Sequence, residues 1–305
     1  MTLTTATAIL HVLLALAGAP LLGGITNRTK AKFAGRRGQP LLQGYYDLAK
    51  LFRKGATYSR TTTWVFRAGP IVGLAAVASA LVMTPLGGTS SVLGFAGDAL
   101  VLVYLLGLMR FATVLAAMDT GSAFEGMGAS REVQFSMLAE PALLLALAGL
   151  AGATGEISLA GMYAHPLLAG AARSPALVLI AVSMLVVLLT ENARIPVDDP
   201  NTHLELTMIH EVMVLDHGGP DLGFIQYAAS LKLWVLGSLL VGLAWPVRLA
   251  HPLADLAAGL AGLAVLAVVV GVIESVMARL RLVRVPQLLV TASVLSLMAI
   301  IWILR

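Results

Sequence analysis

Long apolar runs recur along the chain and constrain its fold more than any other feature. The 305 residues are 58% hydrophobic and only 12% charged, with a mean hydropathy of +0.89. A helix needs ~20 apolar residues to cross ~30 Å of hydrocarbon, and only helices and closed β-barrels satisfy their backbone polar groups in lipid. Because the runs are continuous rather than alternating, they indicate helices. The sequence therefore predicts an all-α polytopic membrane protein.

The apolar runs predict eight spans in a single membrane domain, residues 1–305. No basic segment precedes the first run, so it is interpreted as an uncleaved span rather than a signal peptide. The predicted spans are residues 3–25, 64–85, 99–118, 133–153, 174–190 with a continuation to 195, 222–245, 253–277 and 285–304.

The Lys and Arg residues predict how the spans are oriented. Residues 26–60 hold nine of them, and the positive-inside rule assigns this loop to the cytoplasm. With eight spans, both termini then lie outside. Fourteen Lys and Arg residues fall in the predicted inside loops and three in the outside segments, which favours this orientation. Basic loops beside a bilayer also explain the pI of about 9.6 more simply than nucleic-acid binding does.

Residues 39–55 of the first loop predict an amphipathic helix. Apolar side chains recur along it at helical spacing, and Lys50, Arg53 and Lys54 supply a basic face. Such a helix lies in the membrane interface as an anchor, or it offers a docking surface to a cytoplasmic partner. The sequence leaves both readings open.

Charge is concentrated in residues 190–217, between two apolar runs. Extending the fifth span to Ile195 gives it a normal length, with Pro196 as its stop, and the i,i+3 spacing then pairs Glu191 with Arg194. A rigid turn is predicted next, followed by a helix that ends at His217. The stretch contains six carboxylates and three histidines: Glu191, Asp198, Asp199, Glu205, Glu211, Asp216, His203, His210 and His217.

The chemistry of this stretch favours proton relay over metal binding. The HExxH motif is absent, and histidines seven residues apart on a helix are ~10 Å apart along its axis, too far to share an ion. Neighbouring carboxylates in a partly buried setting exchange protons near neutral pH, because like charges and burial raise their pKa values. A solvated acidic loop is the alternative, most credible for Asp199 and Asp216.

Several charged residues fall inside the predicted spans. Arg110 and Lys232 should face the protein interior, because charges facing lipid are costly; they form either a buried structural ion pair or part of a transport path. Glu140 lies ~12 Å along its helix from Glu132, and a carboxylate inside the membrane is a candidate functional residue. Glu274 neutralises an arginine or faces the acid cluster. His11, also within a span, is interpreted as a satisfied interior residue.

The segment between the third and fourth spans, residues 119–132, contains three glycines. It is predicted to be a flexible or tightly turned loop. The chain has no cysteine, so it cannot ligate a cysteine-bound iron–sulfur cluster, and any such cluster must lie on a partner.

These motifs resemble a known family. ENARIPVDDPNTHLEL is similar to the conserved loop of the membrane subunit, subunit 1 or H, that docks the hydrophilic arm in respiratory complex I. The motifs occur in the family's order and, with eight spans, cover nearly the whole chain. The matching positions are Glu191, Arg194, Pro196, Asp198, Glu205 and Leu206; Arg37, Gly38, Pro40, Gln43, Lys50 and Leu51 in the first loop; and Arg131, Glu140, Arg279 and Arg281.

Where the sequence departs from complex I, it resembles the hydrogenase branch of that family, which comprises the membrane subunits of hydrogenase-4 and formate hydrogenlyase. Val197 stands where complex I members carry an aromatic residue, and Asn201 and His203 stand where they carry further acids. The segments GSAFEGMGASRE, LELTMIHE and YAASLKLW also look like that branch. The changed positions weaken the expectation of quinone binding.

The resemblance implies a membrane anchor of a group 4 [NiFe]-hydrogenase-type complex in the cell (inner) membrane. It implies a nickel–iron subunit, an iron–sulfur subunit and antiporter-like membrane subunits as partners, with no cofactor, metal or catalytic centre on this chain. The alternatives are a quinone-site subunit of complex I, a stand-alone ion transporter and a structural anchor. The expected ion pathway comprises Glu140, Glu191, Arg194, Asp198, Glu205, Glu211, Arg110 and Lys232, and the expected docking residues are Arg36, Arg37, Lys50, Arg279 and Arg281.

Overall fold

A computed structural model describes residues 3–168, 174–198, 208–249 and 251–305, and these residues are almost entirely helical. Short 3₁₀ turns, at residues 166–168, Glu211–Val214 and Leu282–Arg284, lie in the connections. The α-helices are α1 Leu3–Phe33, α2 Gln43–Phe52, α3 Trp64–Met83, α4 Asp98–Asp119, α5 Ala123–Thr154, α6 Leu159–Ala164, α7 Pro175–Glu191, α8 Gly219–Ala244, α9 Pro252–Val276 and α10 Val285–Ile303. The prediction of an all-α polytopic membrane protein is confirmed.

Seven of the eight predicted spans contain helices long and apolar enough to cross a membrane. The remaining span is the fifth, which forms α7. This helix has only 17 residues, which at 1.5 Å per residue is ~26 Å, at the lower limit for a crossing. The predicted continuation of this span to Ile195 is wrong, because Asn192 ends the helix and the Arg194 amide donates to the Leu189 carbonyl in a turn. The orientation of the termini stays a prediction.

Two helices extend well beyond the predicted spans. α1 continues to Phe33, and α5 has 32 residues because it begins at Ala123. The predicted glycine loop is therefore wrong over most of its length, since Gly126 and Gly128 lie inside α5. A glycine lowers helix propensity by only ~1 kcal/mol, which packing easily offsets.

The predicted amphipathic helix of the first loop is confirmed as α2. Phe52 packs against Phe224 of α8 with ring centroids 5.4 Å apart, and the Tyr45 hydroxyl donates to the Ala17 carbonyl of α1. Lys50 and Arg53 remain exposed. α2 is therefore fixed to the bundle by its apolar face, and its basic face is presented outward.

α8 is central to the bundle, and 78% of the residues in its apolar stretch are buried inside the protein. It contacts α1, α2, α3, α7 and α9. The Trp234 indole of α8 donates to Nε2 of His11 on α1 over 3.1 Å, so the interpretation of His11 as a satisfied interior residue is confirmed. Most of α8 is surrounded by protein, so a cation on it must find its partners within the bundle.

Candidate functional site

The Arg110 cluster, defined as Arg110, Glu132, Glu140, Glu191 and Lys232, joins four helices. Arg110 of α4 pairs with Glu140 at 2.5 Å and Glu132 at 3.3 Å, both on α5, and with Glu191, the last residue of α7. Lys232 of α8 lies 3.9 Å from Glu191. Arg110, Glu191 and Lys232 are each less than a tenth exposed. A buried cation between three carboxylates is a costly arrangement unless every charge is paired.

The short α7 is what makes this cluster possible. Arg110 and Lys232 lie near the middle of α4 and α8, yet both approach the C-terminal residue of α7. α7 therefore ends at about mid-height of its neighbours. The chain after Glu191 turns back into the bundle, where a longer helix would have carried it out.

Two segments of the connection between α7 and α8, residues 192–198 and 208–217, pack beside this helix end. The Asp198 carboxylate accepts the backbone amides of Ile209 and His210 at 3.1 and 3.3 Å and pairs with Arg279 at 2.9 Å. The Leu280 amide donates to the Pro196 carbonyl over 2.9 Å. Asp198 thus ties both segments to the connection between α9 and α10.

A small space connects Asp198 with the Arg110 cluster. It measures about 10 Å³ and is lined by Arg110, Glu132, Glu191, Thr190 and Asp198, among others. This is about the size needed for one water molecule with polar partners. A space of the size of one water molecule therefore separates Asp198 from the cluster carboxylates.

On its other side, Asp198 faces a cavity of about 560 Å³ between α1, α8 and the two connecting segments. Arg194, His210, Glu211, Asn27 and Gln226 contribute to its lining. Burial, with the Lys232 charge as a smaller cause, lowers the pKa of His210 to about 4, against the opposing attraction of Asp198. His210 is therefore neutral near pH 7.

Glu274 of α9 contacts the lining of this cavity through Arg194. Its carboxylate pairs with Arg194 at 3.3 Å and with Lys30 of α1 at 2.8 Å. A second space of about 630 Å³, lined by Lys30, Arg36 and Glu274 among others, adjoins it. The polar groups therefore form a sequence from the basic end of α1 through Glu274, Arg194 and Asp198 to the Arg110 cluster.

The comparisons with known proteins identify the family of this chain. Residues 5–304 match the family model described as NADH dehydrogenase. The chain belongs to this family. It is 31% identical over 290 residues to hydrogenase-4 component C of Escherichia coli (strain K12), covering 93% of this chain and 90% of that protein. It is 32% identical over 242 residues to formate hydrogenlyase subunit 4 of the same organism, covering 78% and 76%.

The fold of this NADH dehydrogenase family member also occurs in a solved structure. A chain of the membrane-bound sulfane sulfur reductase, an archaeal respiratory membrane complex, superposes with a TM-score of 0.80. The match covers 97% of this chain and 99% of the other at 22% identity. Both comparisons agree with a multi-pass membrane protein.

Against this family framework, the structure brings most of the predicted pathway residues together. Arg110 and Lys232 face the interior and approach acids, as predicted. The predicted pairing of Glu191 with Arg194 is wrong, because Arg194 lies beyond the helix end and pairs with Glu274 instead. Of the two predicted roles of Glu274, pairing with an arginine is confirmed, because its carboxylate pairs with Arg194; a position facing the acid cluster stays a prediction.

The connection between α7 and α8 differs from its prediction in the described part. The predicted helix up to His217 is wrong over residues 208–217, where only the four-residue 3₁₀ turn Glu211–Val214 forms. Glu211 lines the cavity. The predicted relay residue Glu205 and the neighbouring 199–207 lie outside the described residues.

The predicted docking residues do not share one environment. Arg36, Arg37, Lys50 and Arg281 are exposed, whereas the Arg279 guanidinium is paired with Asp198. Arg279 therefore holds the loop beside the cluster. A docking role stays a prediction for all five residues.

The sequence reasoning missed Glu132 and Lys30. Neither is among the predicted site residues, yet Glu132 contacts Arg110 and Lys30 pairs with Glu274. The signal that was available for Glu132 is its spacing from Glu140. The two residues are eight apart on one helix and lie on the same face.

Gly128 allows α5 to approach the 208–217 segment closely. A Cβ at Gly128 would lie 2.3 Å from Val212 Cγ1 and 3.0 Å from the Ile209 carbonyl oxygen, whereas one at Gly126 would meet nothing within 4 Å. Gly128→Ala should lower the unfolding free energy by ~1–3 kcal/mol through overpacking. Gly126→Ala, the matched control, should raise it by up to ~1 kcal/mol. Thermal unfolding in detergent measures both, and equal shifts would contradict this packing.

His217 predicts a pH dependence of stability. Its ring stacks on Phe66 with centroids 3.9 Å apart, and burial lowers its pKa to about 4. In the unfolded chain a histidine has a pKa near 6.5, so as the pH falls the unfolded chain binds a proton before the folded protein does. The contribution of neutral His217 to the unfolding free energy is therefore complete above about pH 6.5 and is lost as the pH falls towards 4. His217→Phe keeps the stack and should flatten the fall of the melting temperature between pH 6.5 and 5. Identical profiles for both proteins would refute the buried neutral state.

Proposed function

We propose that this chain is the membrane anchor and coupling subunit of a group 4 [NiFe]-hydrogenase-type complex. It would link electron transfer in a docked hydrophilic arm to movement of protons or sodium ions. The observation that carries the proposal is the Arg110 cluster, which holds three carboxylates and two cations inside a membrane bundle and connects through Asp198 to the cavity. Family membership and the two similar proteins, each named as one part of a larger enzyme, supply the setting.

In this proposal, ions enter from the side of the first loop and leave through the middle of the bundle. Asp198 at the cavity and Glu274 at the second space bind the incoming proton or sodium ion, with Glu205 and Glu211 as further entry acids. Glu191 and Glu132 receive it across the water-sized space. Arg110 and Lys232 bias how strongly the carboxylates bind a proton, since a neighbouring cation favours the ionised form.

Electron transfer in the arm controls this pathway through the loop that carries Asp198. The loop is held by backbone hydrogen bonds and by Arg279, so a partner that displaces Arg281, two residues along, moves Asp198 relative to the cluster. This chain carries no redox centre in the proposal. A nickel–iron subunit and an iron–sulfur subunit dock on Arg36, Arg37, Lys50 and Arg281, and antiporter-like subunits lie beside it in the membrane.

The test is a gentle detergent purification of the tagged chain, followed by mass spectrometry and metal analysis. Recovery of a nickel- and iron-containing large subunit is the expected result. Recovery of NADH-oxidising partners with flavin and without nickel would move the chain to complex I. Recovery of the chain alone, under conditions that preserve known complexes, together with ion flux from the purified chain, would favour a stand-alone transporter. A structural anchor predicts that carboxylate-to-amide changes matter only where they prevent assembly.

A quinone substrate is the second candidate, and the cavity favours it. Its volume of about 560 Å³ is within the usual 300–1,000 Å³ range of small-molecule sites. Val197, where complex I members carry an aromatic residue, is buried against Phe135 and Ile209 and does not line the cavity. The difference from complex I at Val197 therefore changes the packing of the core and not the lining of the cavity. Photolabelling of α1 or α8 by an azido-quinone, competed by unlabelled quinone, would support this candidate.

A further inference from the structure

Arg131 of α5 holds the peptide bond that binds Asp198. The Arg131 Nη1 donates to the Met208 carbonyl oxygen over 2.8 Å. The N–H at the other side of the same peptide bond, that of Ile209, donates to Asp198 Oδ2 over 3.1 Å. Because a peptide bond is planar and rigid, the position of its carbonyl oxygen fixes the direction of its N–H. Arg131 therefore controls how this amide is aimed at the Asp198 carboxylate.

The next residue of α5 holds the opposite wall of the water-sized space. Glu132 pairs with Arg110 at 3.3 Å, and both line this space together with Asp198 and Ile209. Residues 131 and 132 are consecutive in one helix, so their backbones are fixed relative to each other. The two sides of the space are therefore held by the same turn of α5, and this turn sets the distance between them.

The Arg131 guanidinium also strengthens the hydrogen bond to Asp198. A cation at the carbonyl oxygen polarises the peptide group, and hydrogen bonds in such a chain reinforce one another. Asp198 is only 2% exposed, so its carboxylate depends on donors within the protein. His210, the next residue after Ile209, supplies a second amide at 3.3 Å. Loss of the Arg131 contact should therefore loosen both amides.

The far end of the 208–217 segment is held independently of Arg131. Glu125, near the start of α5, accepts the Asp216 amide over 3.0 Å, and Gly128 lies against Val212 between the two contacts. Removal of the Arg131 contact therefore leaves most of the segment in place. The change should be confined to the end that carries the amides bound to Asp198.

We infer that Arg131 is a positioning residue that sets the gap between Asp198 and the Arg110 cluster through the peptide bond between Met208 and Ile209. The inference rests on the proposed function for what crosses this gap. It adds a residue outside the proposed pathway that determines whether the pathway works. Displacement of a reacting group by ~1 Å can lower a rate ~100-fold, so a contact that fixes this gap has a large effect.

Hydrogen exchange of the complete complex in detergent, measured at single amides by mass spectrometry, tests the positioning. Arg131→Met removes the donor and keeps much of the apolar stem. The Ile209 and His210 amides should then exchange ~10-fold faster than in wild type, as expected when a hydrogen bond to a charged group is weakened. The Asp216 amide, which Glu125 holds, should exchange as in wild type.

Coupled ion movement in sealed vesicles gives the second measurement. It should fall at least ~10-fold in Arg131→Met. Arg131→Lys keeps the charge and can donate one hydrogen bond to the Met208 carbonyl, so it should lie between wild type and Arg131→Met in both measurements. Arg28→Met is the matched control, because it removes an exposed cation from α1, and it should match wild type in both.

Unchanged exchange at Ile209 and His210 overturns the inference and leaves the proposed function standing. Normal ion movement despite faster exchange at these amides has the same meaning. Faster exchange along the whole chain, or a lysine variant that equals Arg131→Met, assigns Arg131 a general structural role and also overturns the inference. A wild-type complex that turns over without moving ions contradicts the proposed function and the inference together.

Discussion

Replacement of Arg110 by Met should prevent the chain from folding stably in its membrane. Arg110 pairs with Glu132, Glu140 and Glu191 inside the bundle. Its removal leaves three carboxylates with Lys232 as the remaining cation of the cluster, and breaking a buried ion pair on one side costs ~3–5 kcal/mol. That loss is a large fraction of the stability of a typical protein. Yield after membrane extraction and the melting temperature in detergent measure the effect.

Two further variants separate charge from shape at this position. Arg110→Lys keeps the charge but cannot reach three carboxylates at once, because its ammonium is a single point rather than a planar fork. It should fold and retain part of the wild-type stability. In Arg110→Met/Glu191→Gln the uncompensated charge is smaller, so the double variant should be more stable than Arg110→Met alone. Additive losses in the double variant would contradict a charge-based role for Arg110.

Glu191→Gln should abolish most coupled turnover while the complex still assembles. Gln keeps the size and one carbonyl oxygen, so Arg110 retains an acceptor, but the side chain can no longer carry charge or a transferable proton. Glu191 is the carboxylate that joins Arg110 to Lys232 and lines the water-sized space beside Asp198. Loss of a positioned proton-transfer group typically costs 10²–10⁴-fold. We expect a fall of at least ~10-fold in coupled activity.

The matched control for this variant is Glu156→Gln. Glu156 is exposed in the connection between α5 and α6 and makes no ion pair in the described part of the chain. It should support wild-type activity and assembly. Glu191→Gln with normal coupled activity would remove Glu191 from the pathway, and its failure to assemble would assign it a structural role only.

The sequence was sufficient to predict the helices and which intramembrane charges face inward. The arguments from apolar runs and from the cost of lipid-facing charge are local and general, and they predicted the interior positions of Arg110 and Lys232 correctly. They could not decide partners. Arg110 meets Glu191 across 81 residues and Arg194 meets Glu274 across 80, and such pairings depend on helix packing that no local pattern encodes.

The errors have a common physical origin in tertiary packing. Gly126 and Gly128 were interpreted as loop residues, but α5 continues through them because Gly128 packs tightly against the 208–217 segment. A normal span length predicts a continuation of the fifth span to Ile195, but α7 stops at Glu191, whose carboxylate contacts Arg110 and Lys232 of neighbouring helices. In both cases an average expectation about an isolated helix gave way to contacts made by the assembled bundle.

The number of ions moved per electron pair tests the central claim most directly. Sealed membrane vesicles containing the complete complex would be supplied with the electron donor that supports turnover, and proton and sodium uptake recorded beside electron transfer. Wild-type complex should move ions, whereas Glu191→Gln and Glu140→Gln, with all subunits retained, should move few or none per electron pair. A wild-type ratio in both variants would contradict the claim that the Arg110 cluster couples electron transfer to ion movement.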